Sequence, residues 1–154
     1  MNDTIEKRLA DLGIDLPEAL APAANYVPFV RTGNLLFTSG QLPFRNGKLA
    51  ATGLLGRDLD TAGGVEEARY CAINLLSQAK AALGSLEKIR RIVKITVFVA
   101  SSPDFTQQHL VANGASDLLV AVLGDAGRHA RSEVGMAALP LNAPVEVEAI
   151  FEVE

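Results

Sequence analysis

The stretch HARSEVGMAALPLNAPVEVEAI, residues 129–150, contains two segments that alternate in polarity, with prolines between them. Side chains on a strand point alternately to its two faces. Arg131 therefore shares a face with Glu133, while the residues between and after them point the other way. The pattern predicts a strand over Ala130–Leu139 that carries a guanidinium among small neighbours.

The second segment predicts a final strand over Pro144–Glu154, with Glu146 and Glu148 on one face and the valines on the other. A tight turn between the two strands would pair them antiparallel and bring the arginine and the carboxylates to one wall. Periodicity alone leaves two interpretations of that wall. It is either a cross-strand salt bridge on a solvated face or a site that binds an anion.

Upstream, YVPFV and LLFTSG are strand-like and flank Gly33, which predicts a hairpin. The segment Gly63–Leu83 carries apolar residues at helical spacing and is followed by Gly84, a typical C-cap. Thr61 is the expected N-cap of this helix. A second helix is predicted over Phe105–Leu123.

Between the two helices, KIRRIVKITVFVA predicts a strand with Val93, Ile95, Val97 and Val99 on one face. The simplest fold is an α+β domain in which two helices pack on one face of a single mixed sheet. We expect one domain over residues 1–154, with residues 1–20 as an N-terminal extension whose helix covers Asn2–Gly13. One layer of helices leaves the other sheet face bare, so we expect self-association.

Composition excludes several classes of protein. The chain has 154 residues, 49% of them hydrophobic, and a net charge of −4, which disfavours nucleic-acid binding. Its single cysteine, Cys71, excludes an internal disulfide and fits a core position. No run of apolar residues is long enough to predict a membrane span, and the N-terminus lacks an apolar signal core, so the expected location is cytoplasmic.

Familiar catalytic motifs are missing from the sequence. There is no G-x-S-x-G elbow, no P-loop and no G-x-G-x-x-G after a strand. His109 and His129 have no metal-ligand spacing with other donors, so we expect no metal site. His129 follows Arg128 and is expected to be exposed rather than catalytic.

Four segments in the same order resemble the Rid family, also called the YjgF or endoribonuclease L-PSP family. They are LLFTSGQLP, ALGSLEKIRRIVKITVFVAS, ANGASDLL and HARSEVGMAALPLNAPVEVEAI. The third offers Asn113 where the family has an asparagine opening a helix. The resemblance covers most of the chain, from Tyr26 to Val153.

The resemblance implies a chorismate-mutase-like fold, assembled as a homotrimer with three clefts between subunits. It also implies hydrolysis of reactive enamines and imines, such as 2-aminoacrylate, to 2-keto acids and ammonia, with no cofactor. Arg131 would hold the substrate carboxylate and Glu146 would orient the attacking water. The remaining cleft residues carried over from the family are Tyr26, Ser39, Gly40 and Asn113.

Glu133 departs from the family pattern, which has a cysteine or a small residue two positions after the arginine. If Glu133 faces the cleft, it competes with an anionic substrate for Arg131 and also belongs to the substrate-binding set. The stretch between Phe105 and Asn113 is longer than usual. Two alternatives to a deaminase remain: a trimeric small-molecule binder without turnover, and an endoribonuclease.

Overall fold

The computed structural model describes residues 4–22 and 24–154. Within them the chain forms a five-stranded mixed sheet, in the order β1-β2-β7-β5-β6, and a separate two-stranded hairpin, β3-β4. The strands are β1 (Phe29–Thr32), β2 (Leu35–Thr38), β3 (Phe44–Arg45), β4 (Lys48–Leu49), β5 (Ile89–Ala100), β6 (Ala130–Met136) and β7 (Val145–Val153). The α-helices are α1 (Ile5–Asp11), α2 (Thr61–Leu83) and α3 (Gln108–Leu123).

The predicted α+β architecture is confirmed. The core lies between one face of the sheet and the long helices α2 and α3, which also pack on each other. Strand β7 supplies one wall of this core, because every second residue from Val145 to Val153 is buried. The other sheet face carries Val30, Phe37 and Val134, which are 54%, 39% and 42% exposed.

The predicted β1-β2 hairpin is also confirmed. Its turn places Gly33 at a φ of 58°, a conformation that favours glycine. The expected C-cap of α2 is Gly84, and it too has a left-handed backbone, with a φ of 79°.

Strand β5 departs from the predicted alternation. A register shift between Ile92 and Lys94 against β7 places Ile92 in the core and leaves Val93 38% exposed. From Ile95 to Val99 the predicted inner face is correct. A bulge adds one residue to one strand of a pair and so reverses the alternation on one side of it.

The predicted pairing of the last two strands is wrong. Strand β5 lies between them, pairing parallel with β6 and antiparallel with β7. The connection over residues 137–144 holds a short 3-10 turn, Pro140–Asn142, and is too long for a tight hairpin. It carries the chain across β5 and leaves β6 at the edge of the sheet.

Two helix starts differ from prediction. The N-cap of α2 is Asp60, whose carboxylate accepts a hydrogen bond from the Gly63 amide at 2.8 Å. Thr61 instead donates its hydroxyl hydrogen to Gln107 at 2.7 Å, tying α2 to the residue before α3. Helix α3 begins at Gln108, three residues later than expected.

The N-terminal segment is docked on the domain. Ile5 and Leu9 of α1 are buried, and the Ile5 amide donates to the Glu87 carboxylate at 2.6 Å. The predicted start of this helix at Asn2 falls outside the described residues.

The β3-β4 hairpin is anchored on α2 by an ion pair. Arg45 Nη2 lies 2.5 Å from Glu67 Oε1, and the guanidinium stacks on Tyr70 at 3.7 Å from the ring centre. Burial raises the pKa of Glu67 although the charge of Arg45 lowers it. The anchor fixes Phe44, which lines a cavity described below.

One helical stretch, Gln108–Gly127, is 20 residues long with a mean hydropathy of 1.2, so its length and composition alone would allow it to cross a membrane. Half of that stretch is buried inside the domain. Its inner residues, including Val111 and Val122, are fully buried, as expected of a core helix.

Candidate functional site

Arg131 has a partner for every donor of its side chain. Its Nε and Nη2 contact the two oxygens of Glu133 at 3.1 and 3.5 Å. Its Nη1 donates to Asn113 Oδ1 at 2.8 Å and to Ser116 Oγ at 3.2 Å, and Nη2 also donates to the His109 carbonyl at 3.3 Å. An arginine side chain has five N–H donors, so all five are used within this one chain.

A hydrogen-bonded chain continues behind Arg131. Ser116 Oγ accepts from Arg131 and lies 2.8 Å from His129 Nε2, while His129 Nδ1 lies 2.6 Å from the Gly127 carbonyl. A carbonyl only accepts, so Nδ1 carries the hydrogen and Nε2 accepts from the serine hydroxyl. Burial, with a smaller contribution from the charge of Arg131, lowers the pKa of His129 and favours this neutral form.

We call Arg131, Glu133, Asn113, Ser116 and His129 the arginine cluster. The expectation that His129 is exposed is wrong, because its ring is half-buried and both nitrogens are bonded. Sequence reasoning missed Ser116 and His129. The signal available was the i, i+3 spacing of Asn113 and Ser116, which puts two polar side chains on one side of an apolar helix.

The predicted residue Glu146 lies elsewhere, against Gly40. A Cβ on Gly40 would overlap the carboxylate of Glu146, so the absence of a side chain there makes the close approach possible. Burial, and less strongly the negative charge of Glu148, raises the pKa of Glu146. Glu146 is therefore a partly buried carboxylate that holds a proton more readily than an ordinary glutamate.

Ser39 and Tyr26 flank the same region. Ser39 donates its hydroxyl hydrogen to the Val27 carbonyl at 2.7 Å, and its amide donates to the Pro28 carbonyl at 2.8 Å. These bonds hold the segment that carries Tyr26 over the end of β2. Tyr26, Ser39 and Gly40 line a cavity of about 450 Å³. We call this cavity, together with Glu146 beside Gly40, the glutamate pocket.

The two groups of residues do not meet within one chain. Arg131 is paired with Ile95 of the helix-covered face, whereas Glu146 is paired with Phe98 on the open face. Two strand spacings and three residues along the strands separate their backbones by roughly 14 Å. The structure thus brings Asn113 and Glu133 to Arg131, and Gly40 to Glu146, while Tyr26 and Ser39 line the cavity next to Gly40. Asn113 lies within α3 and does not open it.

Neither a metal centre nor a reactive thiol is built from these residues. The described part of the chain holds no group of three His, Cys, Asp or Glu side chains that could bind a metal ion. Cys71 is fully buried, and burial raises its pKa well above the ordinary value, so it is a core residue rather than a nucleophile.

A family model described as "YjgF/chorismate mutase-like, putative endoribonuclease" matches residues 6–153. The chain belongs to this family. The match includes both the arginine cluster and the glutamate pocket. The family resemblance inferred from the four sequence segments is thereby confirmed.

The names of two similar proteins state no activity. Protein TCP17 of Trypanosoma cruzi is 51% identical over 149 residues, which are 96% of this chain and 93% of that protein. The crystal structure of Atu1372 from Agrobacterium tumefaciens, of unknown function, is 58% identical, with a TM-score of 0.93 over 99% of this chain and 94% of that one.

Two more distant family members have informative names. A 2-iminobutanoate/2-iminopropanoate deaminase of Dermatophagoides farinae is 28% identical over 92% of this chain and 95% of its own length. The structure of E. coli TdcF with bound serine is 27% identical, with a TM-score of 0.66 over 89% of this chain and 94% of that one. The family thus includes a protein named as an imine deaminase and a protein that binds a small amino acid.

Proposed function

We propose that this protein hydrolyses reactive enamines and imines of the 2-aminoacrylate type to 2-keto acids and ammonia, in clefts between the subunits of a homotrimer. The observation that carries the proposal is the seating of Glu133 on Arg131. A carboxylate lies across Nε and Nη2 in the two-point arrangement that a substrate carboxylate would adopt. In the proposed reaction the substrate carboxylate takes the place of Glu133.

The cleft between subunits follows from the separation of the two groups. A substrate of a few carbon atoms cannot span roughly 14 Å and pass through a sheet. Arg131 on the edge strand β6 and Glu146 on the open face can serve one substrate only when they come from different copies of the chain. The apolar residues exposed on the open face, such as Phe37 and Val134, supply surface for that assembly.

The reaction needs few catalytic groups, because an imine is already electrophilic. Glu146 takes a proton from a water whose oxygen adds to the imine carbon, and the electrons of the C=N bond move to nitrogen as it gains a proton. The hydroxyl group of the resulting carbinolamine loses its proton as the C=O bond forms, and the nitrogen takes up a proton as the C–N bond breaks, so that it leaves as ammonia. Arg131 holds the carboxylate, so that water and substrate meet in a fixed orientation.

The family relatives support this assignment at the level of ligand chemistry. One relative is named for the deamination of 2-imino acids, and another was solved with serine, which carries a carboxylate next to an amino-bearing carbon. The family description also mentions an endoribonuclease. The net charge of this chain is −4, which disfavours binding to RNA.

A coupled assay tests the proposal. A pyridoxal-phosphate-dependent dehydratase generates 2-aminoacrylate from serine, and its decay to pyruvate and ammonia is followed with and without this protein. We expect acceleration proportional to protein concentration, together with a trimer mass in light scattering. Decay at the uncatalysed rate would contradict the proposed activity, and a monomer mass at micromolar concentration would contradict the shared cleft.

A small-molecule binder without turnover is the second candidate. It is favoured by the complete satisfaction of Arg131 within its own chain, which suits a ligand-gated contact as well as a catalytic one. Pyruvate binding in calorimetry, with no acceleration in the coupled assay, would establish it in place of the deaminase.

A further inference from the structure

We infer that the cleft prefers 2-imino acids with a large apolar side chain and hydrolyses the small 2-aminoacrylate more slowly. The inference rests on the proposed function and adds the substrate class. The size and the apolar lining of the cavity in the glutamate pocket carry it.

The cavity is much larger than 2-aminoacrylate requires. Its volume of about 450 Å³ lies within the range of pockets that enclose whole ligands, whereas 2-aminoacrylate has only six non-hydrogen atoms, and three of them belong to the carboxylate. None of the described residues that line the cavity is charged. Its apolar wall consists mainly of Leu20, Pro22, Tyr26, Leu42, Phe44 and Leu141.

The polar side chains of the wall are turned toward the protein. Ser39 donates to the Val27 carbonyl, and Gln41 donates to the Ser39 carbonyl at 3.2 Å and lies 3.4 Å from Gln78. These groups already have partners and offer little to a polar ligand. An apolar occupant matches the surface that remains.

The position of the cavity connects it to the reaction. Gly40 lines the cavity and touches the Glu146 carboxylate. Glu146 itself does not line the cavity, so Gly40 is the link between the two, and we place the side chain of a substrate that reacts beside Glu146 across Gly40 in the cavity. Leu141 at the rim has a φ of 59°, a left-handed conformation that is unfavourable for leucine, and its side chain is 68% exposed. Strain of this kind concentrates at functional sites.

Glu133 lowers the affinity for all 2-imino acids alike. Every 2-imino acid must displace the same carboxylate from Arg131, so this cost is common to large and small substrates and cancels from their ratio. The preference comes from the side chain, which gains about fourfold in affinity or rate for each methylene that leaves water for the cavity. The imine of leucine has three more carbon atoms than that of alanine, which predicts a preference of at least about 30-fold in kcat/KM.

The experiment compares imines of different size on the wild-type protein. An L-amino acid oxidase generates them in place from alanine, leucine and phenylalanine, and a nucleophilic trap reports how much imine escapes hydrolysis. Binding of pyruvate and 4-methyl-2-oxopentanoate is measured by calorimetry as a second readout. We expect the leucine and phenylalanine imines, and the larger keto acid, to be preferred by at least about 30-fold.

Variants locate the preference in the cavity. Leu20→Ser and Leu141→Asn should each lower kcat/KM for the leucine imine severalfold more than kcat/KM for the alanine imine. Asparagine tolerates the left-handed conformation at position 141, so the loop is preserved. Leu12→Ser is the matched control, since Leu12 is a 43% exposed leucine outside the cavity and should change neither rate.

The outcomes separate the two claims. Equal or faster hydrolysis of the alanine imine would overturn the size selection and leave the deaminase assignment standing. Acceleration of no imine, with no binding of either keto acid, would remove the proposed function and this inference with it.

Discussion

The arginine cluster and the glutamate pocket represent two opposite ways of preparing a charged group. Arg131 donates five hydrogen bonds, three to residues of α3, including the His109 carbonyl, and two to Glu133 of its own strand. The carboxylate of Glu146 rests against a glycine, and the shift of its pKa comes from burial and a like charge, with no hydrogen bond contributing. A satisfied cation fixes a ligand in one orientation, whereas a poorly solvated carboxylate is a better proton acceptor. In the proposed cleft, binding and proton transfer therefore fall to different copies of the chain.

Removing the guanidinium should have the largest effect. Arg131→Ala should lower imine hydrolysis by at least about 30-fold, because the charge-assisted contact to the carboxylate is lost. Arg131→Lys should restore only part of it, since a lysine has no paired planar donors. Steady-state kinetics measures both variants, with light scattering to show that the assembly survives. The control is Arg128→Ala, an exposed arginine paired with Asp125. Full activity and full keto acid affinity in Arg131→Ala would mean that Arg131 binds no substrate and serves only as the ion-pair partner of Glu133.

The glutamate pocket can be disturbed without touching any charge. Gly40→Ala would place a methyl group where the Glu146 carboxylate lies, and the flexible end of that side chain would move. Activity should fall at least about tenfold, since small displacements of a catalytic group are costly. Thermal unfolding should change little. Kinetics of Gly40→Ala, Glu146→Gln and the double variant tests this: the double variant should be no worse than Glu146→Gln, and fully additive losses would contradict the contact.

The resident carboxylate of the arginine cluster can be removed by Glu133→Ala. Affinity for pyruvate should rise about fivefold, because a partly exposed ion pair is worth about 1 kcal/mol or less. Calorimetry measures the change, and Asp125→Ala, which removes a fully exposed carboxylate, is the control. Unchanged or weaker binding would mean that Glu133 serves to position Arg131.

The smallest effect concerns pH. Activity should fall as the pH drops through a Glu146 pKa that lies above the ordinary glutamate value, because only the carboxylate accepts a proton. Glu148→Gln removes a negative charge that raises this pKa, so the acid limb should move to lower pH by less than about one unit. Glu152→Gln, on the same face of β7, should leave the limb in place. A shift to higher pH in Glu148→Gln would contradict the assignment of Glu146 as the base.

Much of the fold is accessible from the sequence because its signals are local. The apolar stripe of α2 and its glycine cap act within a few turns, and the Gly33 turn acts within four residues. The bulge at Ile92 and the insertion of β5 between β6 and β7 depend on the whole sheet, and no local pattern reports them. The antiparallel pairing expected from the alternation of β6 and β7 failed for this reason.

The site was accessible only in part. Arg131, Asn113 and Glu133 were predicted to lie close together and do so. Glu146 was expected in the same cleft, from the same or a neighbouring subunit, and within one chain it lies on the other face of the sheet. The partners Ser116 and His129 were missed because their role depends on α3 packing against β6, across 13 residues and a change of element. The glycine contact at position 40 depends on the same kind of tertiary detail.

Mixing two inactive variants tests most directly the claim that Arg131 and Glu146 of different subunits form one site. Arg131→Ala and Glu146→Gln are co-expressed in equal amounts, and the mixed assembly is compared with each variant alone and with the double variant. A shared cleft predicts that about a quarter of the sites regain both residues, so activity should return to about a quarter of the wild-type value. Activity no higher than that of the separate variants, in assemblies shown by mass to be mixed, would contradict it.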